Sequence, residues 1–206
     1  YLKNQNLVKG KIKFYFALMN VAVVILNWNG KKLLEQFLPS VISCSEKEAT
    51  IYIADNASTD DSVSFVKNNF PFIKIIQNKT NGGYAKGYND ALEGLTEELF
   101  VLLNSDILVS KDWLTPIISE FKKDENLVAA QPKILDYNNK SYFEYAGAGG
   151  GYIDRLGYPY CRARIFNTIE KDKGQYDDIT TIFWATGACL FVRKTAYNDV
   201  EGLDEG

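Results

Sequence analysis

The sequence predicts an α/β protein built on a doubly wound, mostly parallel β-sheet. Two short apolar runs without alternation, at residues 21–26 (VAVVIL) and 100–103 (FVLL), are typical of strands buried on both faces. Further strand patterns at residues 50–53 and 74–76 are separated from these by helical patterns, and polar turn residues follow each strand. This alternation indicates β-turn-α repeats, in which consecutive strands run parallel.

The composition is that of a soluble globular domain and excludes several function classes. The chain has 206 residues, 46% hydrophobic and 24% charged, which suits one α/β domain. A net charge of −3 and an isoelectric point near 5.2 argue against a nucleic-acid partner. The sequence has no histidine, which removes Ser-His-Asp hydrolases, Cys-His proteases and most catalytic zinc sites. Carboxylates are left to carry any proton transfer.

The cysteines give an expectation about location. Cys44, Cys161 and Cys189 are scattered along the chain without a CxxC pair. This usage is typical of reduced thiols in an intracellular protein, so we expect a cytoplasmic location.

The N-terminal stretch is expected to lie outside the core fold. Residues 1–18 contain four lysines and no acid, and the apolar run over residues 14–26 is 13 residues long. A membrane-spanning helix needs about 20 such residues, and no convincing signal-peptide cleavage site follows. We therefore predict an extension over residues 1–19 and a domain over residues 20–206. The alternative is a membrane-surface arm, which would give peripheral association with the inner face of the membrane.

Helical patterns follow the predicted strands. One runs from Lys31 to Pro39, where the proline is expected to end it. A second begins near residues 60–62, with Ser58 or Thr59 as its N-cap. The remaining elements are a short helix around residues 91–92, a helix over residues 114–121, a strand over residues 128–135 and an apolar element over residues 183–193.

Residues 152–178 are predicted as a mostly polar loop that follows a glycine-rich stretch at residues 146–151. A loop of this length in a compact domain is usually a functional segment or a lid. We expect the longer region over residues 136–182 to shape the part of the molecule that faces a second substrate.

Polar residues follow each predicted parallel strand, at the edge of the sheet where such proteins bind ligands. The four groups are Asn27 with Asn29, Asp55 with Asn56, Asn81 to Asn89, and Asn104 with Asp106. Carboxylates there suit a divalent cation, since Mg²⁺ is usually held by one or two carboxylates plus substrate phosphates. Gly82, Gly83 and Gly87 would let the backbone approach a ligand closely. The alternative is that these polar residues only shape turns or cap helices.

Five segments together resemble the family-2 glycosyltransferases, whose nucleotide-sugar-binding fold is called GT-A. In chain order they are VAVVILNWNG, IADNASTDDS, NKTNGGYAKGYNDAL, FVLLNSD and WATGACLFVRKTAYNDVEGLDE. They follow the family's order and spacing over residues 20–206, and the rhamnosyltransferase-like branch is the closest likeness. The resemblance implies a nucleotide-sugar-binding half over residues 20–113 and an acceptor-side half over residues 114–206, truncated at its C-terminus.

The resemblance also implies roles for residues by position. Nucleotide-sugar contacts are implied for Asn27, Asn29, Asp55, Asn56, Asn81, Gly83, Asn89, Asn104 and Asp106. Asp106 is implied as the ligand of the Mg²⁺ or Mn²⁺ that bridges the diphosphate. The family's acidic DxD motif is here Asn104-Ser105-Asp106, and the uncharged asparagine predicts weaker metal binding. Trp184, Gly187 and Ala188 match the acceptor-side segment, with core packing as the alternative for Trp184.

The implied reaction moves a sugar from a UDP- or dTDP-linked donor to a hydroxyl of a glycan or lipid-linked acceptor. It would invert the anomeric centre, and it belongs to surface polysaccharide or glycan biosynthesis. A carboxylate would take the proton of the acceptor hydroxyl. Asp204 and Glu205 are the acids nearest to the family's ED-type base motif, which is expected beyond Gly206.

Two other classes stay open at this point. A sugar-phosphate nucleotidyltransferase shares the layered fold, but it would want a glycine-rich loop with Arg or Lys directly after the first strand, where this chain has Asn27-Trp28-Asn29-Gly30. A non-catalytic carbohydrate- or partner-binding module would fit the missing base motif and the aromatic content of 14%.

Overall fold

The computed structural model describes residues 19–147 and 149–206, so the predicted extension lies outside the described residues except for Met19. The described strands, numbered in chain order, are β1 (Val21–Asn27), β2 (Thr50–Asp55), β3 (Lys74–Gln77), β4 (Leu99–Asn104), β5 (Ala129–Ala130), β6 (Gly151–Ile153), β7 (Pro159–Cys161), β8 (Arg164–Ile165), β9 (Thr168–Ile169) and β10 (Cys189–Arg193). The described helices are α1 (Lys31–Ser45), α2 (Ser62–Asn69), α3 (Gly83–Leu92), α4 (Thr115–Lys123) and α5 (Lys194–Asp199). In this part of the chain no helix has both the length and the apolar character that crossing a membrane requires.

The central sheet confirms the predicted fold class. Its strand order is β3-β2-β1-β4-β10-β5, in which β1 to β4 run parallel and β10 is antiparallel to β4. Helices α1, α2 and α4 pack on one face, and α3 and α5 on the other, so the sheet is doubly wound. Val21 to Ile25 are buried throughout, as the unalternating sequence of β1 predicts.

The register of the parallel strands aligns their carboxyl ends. Asn27 at the end of β1 is the partner of Asp55 at the end of β2, and Leu26 is the partner of Asn104 at the end of β4. Since neighbouring strands lie about 4.8 Å apart, these polar residues sit side by side along one edge. The same sheet also includes β10 and β5, which come from the predicted acceptor-side half. One sheet therefore crosses the predicted boundary between the two halves.

Helix α1 does not end at Pro39, and this prediction was wrong. The helix continues to Ser45, and Pro39 lies on its exposed side. Proline in a helix removes one backbone hydrogen bond and strains the preceding turn. Leu38 before the proline and Val41 after it are both buried in the core against the sheet, and their burial holds the two parts of the helix in line.

Several other boundaries also differ from prediction. Helix α2 starts at Ser62 with Asp61 at the N-cap position and no side-chain cap, so neither Ser58 nor Thr59 caps it, and the Ser58 hydroxyl accepts a hydrogen bond from the N–H of Asn29. Helix α3 starts at Gly83, well before the predicted position at residues 91–92. The strand predicted over residues 128–135 is reduced to β5, which pairs only with β10.

The predicted polar loop over residues 152–178 contains a second, antiparallel sheet, which the sequence did not reveal. Its strand order is β6-β7-β8-β9, with consecutive strands paired. Each strand is only two or three residues long. Strands of this length carry no readable alternation of apolar and polar residues.

Trp184 anchors the small sheet to the rest of the molecule. Its backbone bridges to Gly151, and its indole Nε1–H donates to the carbonyl of Tyr152 at 2.9 Å. The ring lies directly on Gly151, so a Cβ placed there would come within 2.0 Å of the ring. Only glycine leaves room for the indole at this position.

We predict that Gly151→Ala destabilises the fold by about 1–3 kcal/mol, because the new methyl group must displace the indole of Trp184. Urea denaturation followed by tryptophan fluorescence measures this change. Gly94→Ala is the matched control, since no atom lies within 4 Å of a Cβ there. Equal stability of the two variants would contradict the packing argument.

Candidate functional site

The turn after β1 is tied to the turn after β2 by the buried side chain of Asn27. Its Nδ2 donates to Asp55 Oδ1 at 3.0 Å, to Ser58 Oγ at 3.1 Å and to Ser62 Oγ at 2.9 Å. The other oxygen of Asp55 accepts from the N–H of Ser58 at 3.1 Å. The structure thus brings Asn27 and Asp55 together, and both serve first to shape the edge of the sheet.

The Oδ1 atom of Asn27 is buried, and no hydrogen-bond donor contacts it among the described residues. It faces Gly30, where a Cβ would lie 2.5 Å away. An unpartnered buried acceptor costs free energy unless something satisfies it. The Asn27 side-chain carbonyl is therefore a buried acceptor under the turn at the start of α1, and no donor among the described residues satisfies it.

Asn29 and Asp60 also connect the turn after β1 to the turn after β2. Asn29 has a φ of 51°, in the left-handed region that asparagine tolerates, and its Oδ1 accepts from the N–H groups of Thr59 at 2.7 Å and Asp60 at 3.2 Å. In return, Asp60 accepts from the N–H of Lys31 at 3.1 Å. Each turn therefore both donates hydrogen bonds to the other and accepts them from it, which fixes the relative position of the two turns.

Asn56 continues the network to β3 and α3. Its Nδ2 donates to Asn81 Oδ1 at 2.8 Å and to the carbonyl of Gly83 at 3.0 Å, and its Oδ1 accepts from Asn78 at 3.1 Å. Gly83 has a φ of 76°, as expected for a glycine-dependent turn. Gly87 instead lies inside α3, where a Cβ would come within 2.9 Å of Asn56, so it serves packing rather than close approach of a ligand.

A hollow of about 460 Å³ lies where the first, second and fourth strands end. Its walls come from the β1–α1 turn, the β2–α2 turn and the end of β4: Trp28, Asn29, Gly30, Lys31, Lys32, Leu33, Asp60, Asp61 and Ser105. Asn27 and Asp55 are buried and do not line it. The predicted edge therefore carries a concavity with both polar and apolar walls, and the Asn27 network lies beneath it.

Asn104 and Asp106 lie at the end of β4. Asn104 is half-buried, and its backbone N–H donates to the carbonyl of Ala188 at 3.0 Å, while Asp106 is exposed in the turn that follows. The described residues contain no group of three side chains of the His, Cys, Asp or Glu type that could hold a metal by itself. An exposed carboxylate next to an amide fits a cation that takes its other oxygen ligands from a bound phosphate group.

Asn89 holds the C-terminal segment onto α3. Its amide makes four hydrogen bonds: Nδ2 donates to Leu203 O and to Glu205 Oε1, and Oδ1 accepts from Leu203 N and from the Tyr197 hydroxyl. Glu205 thus lies beside Asn89, and Asp204 caps the N–H of Gly206 at 3.0 Å. None of these three predicted residues lines the hollow.

The predicted acceptor-side residues meet the edge through backbone contacts. The Tyr84 hydroxyl donates to the carbonyl of Gly187 at 2.7 Å, and burial raises the pKa of Tyr84 to about 12, which keeps the hydroxyl protonated. Ala188 pairs with Asn104 as described above, whereas Trp184 packs on glycines and braces the small sheet. Tyr84 therefore joins the two predicted halves, a contact that sequence reasoning missed because it spans 103 residues.

A larger hollow, of about 800 Å³, lies at the opposite ends of the strands. It includes Val21 at the start of β1, Thr50 at the start of β2 and Glu97 just before β4. It also borders Met19, next to residues outside the described part of the chain. Ligands of parallel sheets bind at the carboxyl ends, and the converging polar turns are there, so we assign the candidate site to the smaller hollow.

We predict that Asn27→Ala lowers the free energy of unfolding by about 2–4 kcal/mol, since Asp55, Ser58 and Ser62 lose a shared buried donor. Urea denaturation measures the loss. Asn68→Ala, at an exposed position in α2, is the control and should change stability by less than about 0.5 kcal/mol. A loss at Asn27 no larger than at Asn68 would show that the network does not hold the edge.

Asp60 should make the fold sensitive to acid. Burial alone would raise the pKa of Asp60, but hydrogen bonds from Ser62 and Lys31 outweigh it and lower this pKa below the ordinary value of 3.8. A carboxyl of this kind stabilises the fold above pH 3.8 and loses that contribution as the pH falls through the lowered pKa. We expect the unfolding free energy of Asp60→Asn to fall less steeply in this acid range than that of the parent. Parallel curves for Asp60→Asn and the parent would contradict the assignment.

Comparisons with known proteins are consistent with this geometry. The chain is 23% identical over 198 residues to N-acetylglucosaminyl-diphospho-decaprenol L-rhamnosyltransferase of Mycobacterium tuberculosis (strain ATCC 25618 / H37Rv), aligning 89% of this chain with 64% of that protein. It is 25% identical over 185 residues to poly-beta-1,6-N-acetyl-D-glucosamine synthase of Staphylococcus epidermidis, with 87% of this chain and 41% of that protein covered. The chain thus spans less than two thirds of each of these relatives.

The fold also matches that of a solved enzyme. Mannosyltransferase PcManGT from Pyrobaculum calidifontis, in complex with GDP-Man and Mn²⁺, superimposes with a TM-score of 0.61 at 16% identity over 90% of this chain and 47% of that one. This confirms the GT-A architecture that the resemblance implied. The family model described as Glycosyl transferase family 2 matches residues 22–200, which is most of the chain. The chain therefore belongs to glycosyl transferase family 2.

Proposed function

We propose that this chain binds a nucleotide-diphosphate sugar at the carboxyl edge of its central sheet and presents it for transfer to an acceptor hydroxyl. The observation that carries the proposal is the hollow shared by the ends of β1, β2 and β4, with the exposed carboxylate of Asp106 in the turn after β4. Family membership supports the reaction class. The donor in this proposal is UDP- or dTDP-linked, and the acceptor is a glycan or a lipid-linked sugar of a surface polysaccharide.

The network beneath the hollow suggests how the nucleotide is held. Asn29 in the wall is a polar group for the base or ribose, and the buried Asn27, which Asp55 keeps in place, supports the turn beneath it. Asn56 and Asn81 fix the turn at Gly83, where α3 begins. N–H groups at the start of a helix favour an anion, which suits the diphosphate. Asn89 contributes indirectly in this scheme, by holding the C-terminal segment.

The cation is assigned to Asp106, with the Asn104 amide as a weaker oxygen donor. Mg²⁺ or Mn²⁺ bound there would neutralise charge that develops on the leaving diphosphate. In this scheme the protein orients the donor against the segment from Trp184 to Ala188. Hydrogen bonds from the Tyr84 hydroxyl and the Asn104 N–H hold that segment at the same edge.

In the proposed reaction the acceptor oxygen attacks the anomeric carbon, the bond from that carbon to the diphosphate oxygen breaks, and the configuration inverts. A carboxylate base takes the hydroxyl proton, which typically contributes about 100- to 10,000-fold to the rate. Asp204 and Glu205 are the candidates within this chain, and Glu205 is oriented by Asn89. An acid that follows Gly206 in a longer protein is the stronger candidate for this role.

We expect isothermal titration calorimetry to detect binding of a UDP- or dTDP-sugar in the presence of MnCl₂. Asp106→Ala should weaken this metal-dependent binding by at least about tenfold, since the substrate phosphates lose the carboxylate that shares their cation. Asp199→Ala, which removes an exposed carboxylate on α5, is the matched control and should bind as the parent does.

Unchanged affinity in Asp106→Ala would refute the role of this carboxylate. Absence of binding by the parent to every nucleotide sugar would refute the proposed function itself. The second outcome would favour the non-catalytic module.

A further inference from the structure

One end of the small sheet carries large apolar side chains that the fold leaves in solvent. Leu156 is 72% exposed, Tyr158 67%, Ile165 68% and Phe166 89%. These four residues are called the apolar tip below. Single exposed apolar residues are ordinary on a protein surface, but a group of them in one place marks an interaction site.

The topology of the small sheet places these side chains together. In an antiparallel meander the connections alternate between the two ends of the strands. The β6–β7 turn at residues 154–158 and the β8–β9 turn at residues 166–167 therefore lie at the same end. The β7–β8 connection, Arg162-Ala163, lies at the other end, where Arg162 donates to Gly149.

Both turns are held in fixed shapes. The carboxylate of Asp154 accepts from the N–H groups of Leu156 at 2.8 Å and Tyr158 at 2.9 Å. Phe166 has a φ of 51°, a backbone conformation that a bulky residue rarely adopts. Strained positions of this kind concentrate at functional sites. The tip is thus formed by two exposed turns, of which the first is held by the Asp154 carboxylate.

The order of residues along the hairpin fits a lipid bilayer better than a protein partner. Leu156 and Phe166 lie within the two turns, Tyr158 is the last residue of the β6–β7 turn, and Tyr160 lies further back, in β7. At membrane interfaces, apolar side chains enter the hydrocarbon region and tyrosine rings lie next to them at the level of the headgroups, which is the order seen here. Arg155 adds a cation at the turn, where its side chain can reach anionic headgroups, and the neighbouring Asp154 carboxylate is engaged by backbone N–H groups.

We propose that the apolar tip docks this domain on the surface of a lipid bilayer that contains anionic lipid. At the end opposite the tip, the small sheet is joined through Gly151 and Trp184 to the segment whose Ala188 contacts Asn104 at the candidate edge. If the proposed function also holds, this arrangement brings the donor site to acceptors carried on lipid. Binding to the bilayer does not itself depend on that function.

The test is cosedimentation of the chain, without nucleotide, with vesicles of phosphatidylcholine and of phosphatidylcholine mixed with phosphatidylglycerol. We expect binding to the mixed vesicles, and a loss of about tenfold in the partition coefficient of the double variant Leu156→Ser/Phe166→Ser. Arg155→Gln should weaken binding about fivefold on the mixed vesicles and leave binding to phosphatidylcholine alone unchanged.

Phe72→Ser is the matched control, because Phe72 is also exposed (62%) but lies outside the small sheet, and it should bind as the parent does. A second readout uses Phe166→Trp, whose added emission should shift to the blue and be quenched by brominated lipid, whereas that of Phe72→Trp should not.

Three results would overturn the proposal. The first is that the parent does not bind the mixed vesicles. The second is that the Phe72 variant loses as much binding as the tip variant. The third is that the parent stays in solution with vesicles but forms a dimer in sedimentation velocity, and the tip variant does not. The last would assign the tip to a second copy of the chain. Because no nucleotide is present, each result is separate from the outcome of donor titration.

Discussion

The buried amide of Asn27 is the contact on which the carboxyl edge of the sheet depends. Strand β1 lies between β2 and β4, so its end is the middle of that edge. One amide nitrogen joins Asp55, Ser58 and Ser62, which come from the end of the next strand, the turn after it and the first residue of α2. A hydrophobic residue at this position would leave several buried polar groups without partners, at a cost comparable to a large part of the stability of a small domain.

Two kinds of polar residue thus share the edge, and burial separates them. Asn27, Asp55 and Asn56 are buried and hold the turns to one another. Asn29 and Asp106 are exposed, and they are the groups a ligand can reach from solvent. Direct ligand contact and support of the turns are therefore complementary functions of the polar residues at this edge.

Much of this could be predicted from the sequence, because the signals were local. Two parallel strands followed from unalternating apolar runs and two from strand patterns that alternate with helical ones, and the position of each polar cluster followed from the strand before it. The rest depends on contacts distant in sequence. The bonds of Asn89 to Leu203 span 114 residues, and the small sheet rests on glycines that accommodate the ring of Trp184. No periodicity encodes these contacts, and the burial that keeps α1 intact through Pro39 is likewise a property of the assembled core.

The central claim is that the donor binds at the carboxyl edge and not at the larger hollow at the other ends of the strands. The most direct measurement is a ¹H–¹⁵N NMR titration of the labelled chain with UDP and MgCl₂, repeated with Mn²⁺ as a paramagnetic probe. The account predicts shift changes in the turns after β1 and β2 and near Gly83, with the strongest Mn²⁺ broadening around Asp106. Changes confined to the residues around Thr50 and Glu97 would contradict it.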